Sequence, residues 1–590
     1  MTGQIRMDED IEMKMRDGTV LRADIYRPDD KEKHPAVFTR GYHKMFGRYG
    51  HLDIISATRA GYALVAQVIR GRGTSEGTWN PENAATTEAQ DGYDSVEWIA
   101  DQNWCDGNVG MMGYSHSGGM AAQIAIENPP HLKAIAPWSS GVGLGRQRGG
   151  PGGFRPPNTG GAISFITALI WLPNEASDVV NRLEREGKDV TEMRQVLQWA
   201  RNNPEELYNY LPLKDVPFTN FESIGKLWMF RLRGVPPSLQ PTVPQTEVEE
   251  VNNFQKVVVP CSHLTGWFDG PATASFESFR NMQKQGGSQY AQESQHIISG
   301  PWMHAVELLS YLGAINFGTE VRSILPSDQL INFFDKYLRG KDVKIPPVQY
   351  FLMGRNQWRN ADTWPLPQTQ WQRFYLHSKG GANTLSGDGV LNRNEPGSES
   401  VDTFVYDPHN PVPTVGGSMI GGAAGFGLVA GPLEQSYVER RNDVLCYTTA
   451  ELKEDTEITG PLEMHVFAST SARDTDFTAK LVDVYPDGRS YNLADGIRRA
   501  RGLKSEEQPE LVNPDEVYEY VITMGPTSQL FRKGHRIRID ISSSNFPYYD
   551  RNMNTGNPIG EDTKGIIAKQ TVYHQSEYAS YIDLPVIPES

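Results

Sequence analysis

The residues best able to do chemistry lie in Val109-Gly110-Met111-Met112-Gly113-Tyr114-Ser115-His116-Ser117-Gly118-Gly119, a strand-like run that passes straight into a helix of small residues. A serine at such a junction acts as a nucleophile when the chain turns sharply. That turn needs small residues two before and two after it, here Gly113 and Ser117. It lifts the hydroxyl clear of the sheet and aims a helix N-terminus at it, so negative charge forming on a bound carbonyl meets backbone N–H groups. G-x-S-x-[GS] also arises by chance; the strand before it and the helix after it favour the functional reading.

A serine hydroxyl is a weak nucleophile at neutral pH, so it needs a base within reach and a third group to orient that base. His116 adjoins Ser115, but an elbow that exposes one side chain turns its neighbour away, so His116 is expected to act through its backbone N–H. His304 is better placed, in the loop after Ile297-Ile298-Ser299-Gly300-Pro301-Trp302-Met303. Asp269, in Gly266-Trp267-Phe268-Asp269-Gly270, likewise follows a strand read at residues 257–261. Loops at the carboxyl ends of parallel strands are where α/β sheets bind ligands. Singly, a loop His or Asp is more often structural; Ser115, Asp269 and His304 together, in α/β-hydrolase order, predict an acyl-transfer triad. Trp138, Trp267 and Trp302 fall near expected carboxyl ends of strands, where they either line an acyl pocket or pack in the core.

The elements that must hold these residues are legible in outline. Residues 11–15 and 20–26 flank Arg16-Asp17-Gly18-Thr19 and read as a hairpin. Short apolar runs then alternate with helical patterns to about residue 140, which predicts a mostly parallel, doubly wound sheet. Residues 141–161 hold nine glycines and are followed by helical patterns at 163–172, 176–185 and 191–200, an inserted helical cap. Strand-like patterning resumes at 256–261 and 296–300, and a helix at 327–338 ends in Arg339-Gly340. Beyond residue 346, short alternating strands with Pro-Asp-Gly and Lys-Gly turns predict a β-sandwich. The expected division is therefore hydrolase sheet 1–140 and 251–345, cap 141–250, and sandwich 346–590.

Composition excludes other classes. With 38% hydrophobic and 22% charged residues the chain is globular, and a net charge of −16 offers no surface to nucleic acid. Its three cysteines form no framework and no metal pair, and there is neither an apolar leader nor a run of ~20 apolar residues, so no membrane is implied and a cytoplasmic protein is expected. No HExxH or P-loop occurs, and Gly425-Phe426-Gly427-Leu428-Val429-Ala430 lacks a βαβ unit around it, so no metal and no organic cofactor is expected. Self-association stays open.

Several further motifs resemble one family. Arg70-Gly71-Arg72-Gly73-Thr74-Ser75-Glu76-Gly77, Asp91-Gly92-Tyr93-Asp94, the acid and base loops, Asp474-Thr475-Asp476-Phe477 and Ser542-Ser543-Ser544-Asn545-Phe546-Pro547 are similar in order and kind to the cocaine esterase type (CocE/NonD) of serine hydrolase. That family is related to X-prolyl dipeptidyl peptidases and α-amino acid ester hydrolases. The resemblance implies an α/β hydrolase with an inserted cap and a C-terminal jelly roll. The implied reaction is cleavage of a small-molecule ester or amide through an acyl-serine. It also implies a second oxyanion donor, a tyrosine hydroxyl after the first core strand, which Arg40-Gly41-Tyr42 fills with Tyr42; a packed tyrosine at a strand end is the alternative. Two positions depart from the family: His116 replaces a tyrosine and Gly41 a proline. An acyltransferase, an X-prolyl peptidase and, more remotely, a non-catalytic binding protein are the rival functions. Branches that bind an α-ammonium place carboxylates after the acid, whereas here Gly270-Pro271-Ala272-Thr273-Ala274 follows Asp269; the cap's Glu175 or Asp178 are the alternative source.

Overall fold

The computed structural model describes residues 4–42, 52–79, 84–140, 160–233, 253–304, 309–419, 428–505 and 509–588. The glycine-rich stretch 141–159 and residues 425–427 of the G-x-G-x-x-A motif lie outside them. Strands β1 (Ile5–Lys14) and β2 (Val20–Pro28) form the expected hairpin. Six parallel strands follow: β3 (His34–Gly41), β4 (Ala63–Val68), β5 (Cys105–Tyr114), β6 (Leu132–Trp138), β7 (Cys261–Phe268) and β8 (Gln295–Met303). Their sheet order is β1-β2-β4-β3-β5-β6-β7-β8, completed by Val348–Leu352 and Gln357–Ala361. Every residue of β3, β4 and β7 is buried, as strands covered on both faces must be. The cover includes α1 (Ile54–Arg59), α2 (Ala84–Ala100) and α3 (His116–Ile126).

Three readings of the sequence differ from the structure. The strand expected at 256–261 begins at Cys261 instead; the preceding Val258 is 41% exposed, while the polar Ser262, His263 and Thr265 are buried. Apolar content pointed to the wrong half of the segment, because hydrogen bonding to neighbouring strands, not side-chain polarity, determines which half enters the sheet. The two helices expected at 163–172 and 176–185 are one, α4 (Phe165–Arg185), with Pro173 inside it. Proline withdraws one helical N–H, yet Leu169, Leu172, Ala176 and Val180 are all fully buried, and that packing keeps the helix continuous. Lastly, the first sheet runs through Ala361, past the boundary drawn at residue 345.

The cap adds α5 (Thr191–Asn202), α6 (Pro204–Tyr208) and α7 (Glu222–Arg233). The C-terminal part is mostly sheet, its strands joined in a twelve-stranded system around a core that includes Met464, Val466, Ile522 and Ile539. It grips the start of α4: the Phe165 N–H donates to the Tyr548 carbonyl at 2.8 Å and the Ile163 N–H to Asp550 Oδ1 at 2.7 Å. No described helix is long and apolar enough to cross a membrane.

Candidate active site

Ser115 stands between β5 and α3 with φ 57° and ψ −120°, a strained conformation that L residues rarely adopt. The corner is tight. A Cβ at Gly113 would lie 2.1 Å from the Ser117 carbonyl oxygen, so only glycine fits there. The Ser115 N–H donates to the Trp138 carbonyl at 2.9 Å, tying the corner to the end of β6.

Asp269 follows β7 directly and His304 follows β8, two neighbouring strands. His304 Nε2 is 2.8 Å from Ser115 Oγ, and its Nδ1 is 2.7 Å from Asp269 Oδ1. The carboxylate assigns the ring proton to Nδ1 and leaves Nε2 as the acceptor facing the hydroxyl. Asp269 is 1% exposed, and its Oδ2 accepts from the Thr265 hydroxyl at 2.9 Å. The Tyr114 hydroxyl donates to the His304 carbonyl and steadies the loop. Such a chain can take a proton from the serine and return it to a leaving group.

Tyr42, at the end of β3, and His116, the first residue of α3, meet in front of this chain's serine corner. Their rings stack at 4.5 Å and 18°, and the Tyr42 hydroxyl is 3.1 Å from His116 Nε2. The His116 side chain is thus engaged with Tyr42, which the elbow argument did not anticipate. Burial raises the Tyr42 phenol well above its ordinary range, with Glu175 adding to the effect, so it stays protonated. Burial, helped by Arg72, Arg231 and Arg40, pushes His116 down to about 3, so the imidazole is neutral at working pH.

Around this pair lie residues that sequence reasoning missed. Arg72 lies 4.8 Å from the Tyr42 ring centre. Its Nη2 pairs with Glu175 Oε2 at 3.0 Å, and its Nη1 lies 3.8 Å from Asp178 Oδ2. The two cap carboxylates are therefore engaged by an arginine. The Trp171 ring packs 6.0 Å from Tyr42. Arg72 lay in the conspicuous Arg70 to Gly77 motif, whereas nothing in the sequence marked Trp171. Within that motif Arg70 pairs with Asp91 at 2.7 Å, a structural tie. Of the three tryptophans, Trp138, Trp267 and Trp302 are each no more than 2% exposed within one core cluster. Trp267 stacks on Phe276 and donates to the Phe351 carbonyl at 2.8 Å, so core packing is the reading their positions support.

Comparison with known proteins places this geometry among relatives. Residues 17–306 match the family X-Pro dipeptidyl-peptidase (S15 family), and residues 342–583 match the X-Pro dipeptidyl-peptidase C-terminal non-catalytic domain. The chain is 33% identical over 606 residues to the cocaine esterase of Rhodococcus sp. (strain MB1 Bresler), covering 99% of each chain. Its fold resembles an aminopeptidase from the marine sediment archaeon Thaumarchaeota archaeon, with TM-score 0.76 and 23% identity over 100% of this chain and 97% of that one. It also resembles an α-amino acid ester hydrolase, with TM-score 0.68 and 23% identity over 99% and 97%.

Proposed function

The chain belongs to the family of the cocaine esterase and the S15 X-Pro dipeptidyl-peptidases and is a serine hydrolase of esters or amides; from that premise we propose that Ser115, His304 and Asp269 are its catalytic triad, with Tyr42 and the His116 N–H as oxyanion donors. The observation that carries this is the unbroken contact from Asp269 through His304 to Ser115, at 2.7 and 2.8 Å. Ser115 Oγ adds to the substrate carbonyl carbon as its proton moves to His304 Nε2. Asp269 holds the imidazole in the required tautomer and stabilises its cation. The tetrahedral adduct collapses, the alcohol or amine leaves with the proton from His304, and an acyl-serine remains. Water, deprotonated by His304, repeats the addition and releases the acid.

The oxyanion side depends on a proton count. A neutral His116 carries one ring proton. On Nε2 that proton is donated to the Tyr42 oxygen, and the phenolic proton is left to meet the substrate oxyanion. With the ring proton on Nδ1, Tyr42 would spend its own proton on the histidine. The working tautomer is therefore the Nε2–H form.

For substrate class, an ester without an α-ammonium fits this site better than its amino counterpart. Glu175 and Asp178 are engaged by Arg72, and Gly270, Pro271 and Ala272 follow Asp269, so no carboxylate among these is left to hold an ammonium. We further assign residues 1–140 with 251–361 to the hydrolase domain, 141–250 to the cap and the remainder to a jelly roll. The cytoplasm suits its three buried, unpaired cysteines.

A fluorophosphonate tests the assignment. It should add once, on the peptide holding Ser115, and Ser115→Ala should lose both labelling and ester turnover. Labelling at another serine, or turnover that survives in Ser115→Ala, would overturn it.

A further inference from the structure

Among the described residues, several large buried cations have a carboxylate partner. Arg40 pairs with Glu88 at 2.8 Å, Arg72 with Glu175 at 3.0 Å and Arg499 with Asp476 at 2.8 Å. Arg231, on the cap helix α7, differs. Among the described residues no carboxylate lies within ion-pair distance of it; its Nε, like those of Arg40 and Arg72, is shut from solvent without a hydrogen-bond acceptor, so the missing carboxylate is what sets it apart. Its guanidinium carbon lies 5.7 Å from the Trp171 ring centre. That ring in turn lies 6.0 Å from Tyr42 and 6.5 Å from His116. The cation is thus one aromatic ring away from the oxyanion donors. The face of an indole attracts a guanidinium but satisfies none of its N–H donors. Burial also weakens the group's hold on its proton, lowering it to about 10, as expected of a desolvated cation with no carboxylate beside it among the described residues. The side chain as a whole is only part-buried, so the site is sealed at Nε and reachable elsewhere.

A cation closed off at Nε and open at its outer end gains when something anionic docks on that open end. A planar fork of donors across the Trp171 ring from Tyr42 and His116 matches a carboxylate, which it can hold through two parallel hydrogen bonds. We propose that Arg231 is a specificity residue that receives a carboxylate on the substrate, so that the preferred substrates of this hydrolase are esters carrying a second, free carboxylate. This rests on the reading of Ser115 as nucleophile given above and extends it to the substrate's charge. The carboxylate can sit on the acyl or on the alcohol side, and the test separates the two.

The probes are two pairs that differ only in carboxylate against primary amide: monoethyl adipate and ethyl 6-amino-6-oxohexanoate for the acyl side, the butyryl esters of 4-hydroxybutyrate and 4-hydroxybutanamide for the alcohol side. The readout is the ratio of kcat/KM, acid over amide, within each pair. The wild-type ratio should be tenfold or more for one pair. In Arg231→Gln that ratio should fall at least tenfold, and Arg231→Lys should keep an intermediate value. A residue needed only for packing would lower both members of a pair and leave the ratio where it was. Ratios near one for both pairs in the wild type, or a ratio unchanged in Arg231→Gln, would overturn the proposal. Failure of the Ser115 assignment would show separately, as label or turnover in Ser115→Ala. If Arg231→Gln does not fold, the wild-type ratios and Arg231→Lys still decide.

Discussion

Tyr42 and His116 form a pair of a neutral phenol and a neutral imidazole, both kept uncharged by burial. If the phenol meets the oxyanion, Tyr42→Phe removes an interaction that forms in the transition state; kcat should drop ~10²–10³-fold with KM changed by no more than about threefold. His116→Phe keeps the stacked ring and the backbone N–H and removes only the ring N–H. If the imidazole acts only through Tyr42, this should cost less than Tyr42→Phe, and in a Tyr42→Phe background it should cost nothing further. Independent, additive losses in steady-state kinetics would show instead that the imidazole touches the substrate itself. That Ser115, His304 and Asp269 would meet was legible in the sequence because chain order and strand ends carry that information. The His116 side chain was not. An elbow says where Ser115 points, but the stack on Tyr42 exists because β3 and β5 are neighbours in the sheet, a fact of topology that no local pattern holds.

Among the elements, α4 does the most to shape the site, since it brings Trp171, Glu175 and Asp178 to the ends of β3 and β4. The sequence showed its two amphipathic halves; it hid their continuity, because Pro173 is a breaker by local rules and only the buried row of Leu169, Leu172, Ala176 and Val180 outweighs it. The same helix sets a pH dependence. Burial, opposed by Arg72, raises the Glu175 carboxyl to about 7, against an ordinary 4.5 in the unfolded chain. Between those values the folded protein holds a proton that the unfolded chain has lost. This contribution to stability is therefore fully present below about 4.5 and is lost as pH rises through about 7. Glu88, beside Arg40 and also raised to about 7 by burial, acts in the same direction. His116, His263 and His296, pushed down by burial, act in the opposite sense up to about pH 6.5, so the readout is the difference between variants. Between pH 5 and pH 8 the thermal midpoint of Glu175→Gln should fall less, or rise more, than that of the wild type; a slope indifferent to the substitution would mean that the Arg72 pair keeps Glu175 ionised throughout.

Across the whole molecule, the order of sheet, cap and β-rich tail could be read from periodicity, but the way the tail holds the start of α4 could not, since its contacts join residues hundreds of positions apart. Arg499 is the centre of that joint. It is 1% exposed, pairs with Asp476 at 2.8 Å and Asp550 at 3.0 Å, and its N–H donates to the Gly160 carbonyl at 2.7 Å, where the chain enters the cap. Asp550 Oδ1 accepts in turn from the Ile163 N–H, just before α4 begins. Removing the cation leaves two buried carboxylates facing one another, and breaking such a pair costs ~3–5 kcal/mol. Asp476, already raised to about 6 by burial, would then take up a proton to relieve part of that cost. Arg499→Met should therefore lower the urea-unfolding free energy by about that amount. It should also reduce kcat/KM for a neutral ester several-fold, because the anchor of the helix that carries Trp171 against Tyr42 is loosened. Asp550→Asn keeps an acceptor for the Ile163 N–H while removing one charge, so it should lose stability yet retain more activity than Arg499→Met. If instead Arg499→Met lost several kcal/mol and hydrolysed the ester at the wild-type rate, the C-terminal part would be a stabilising partner with no hold on the geometry of the site.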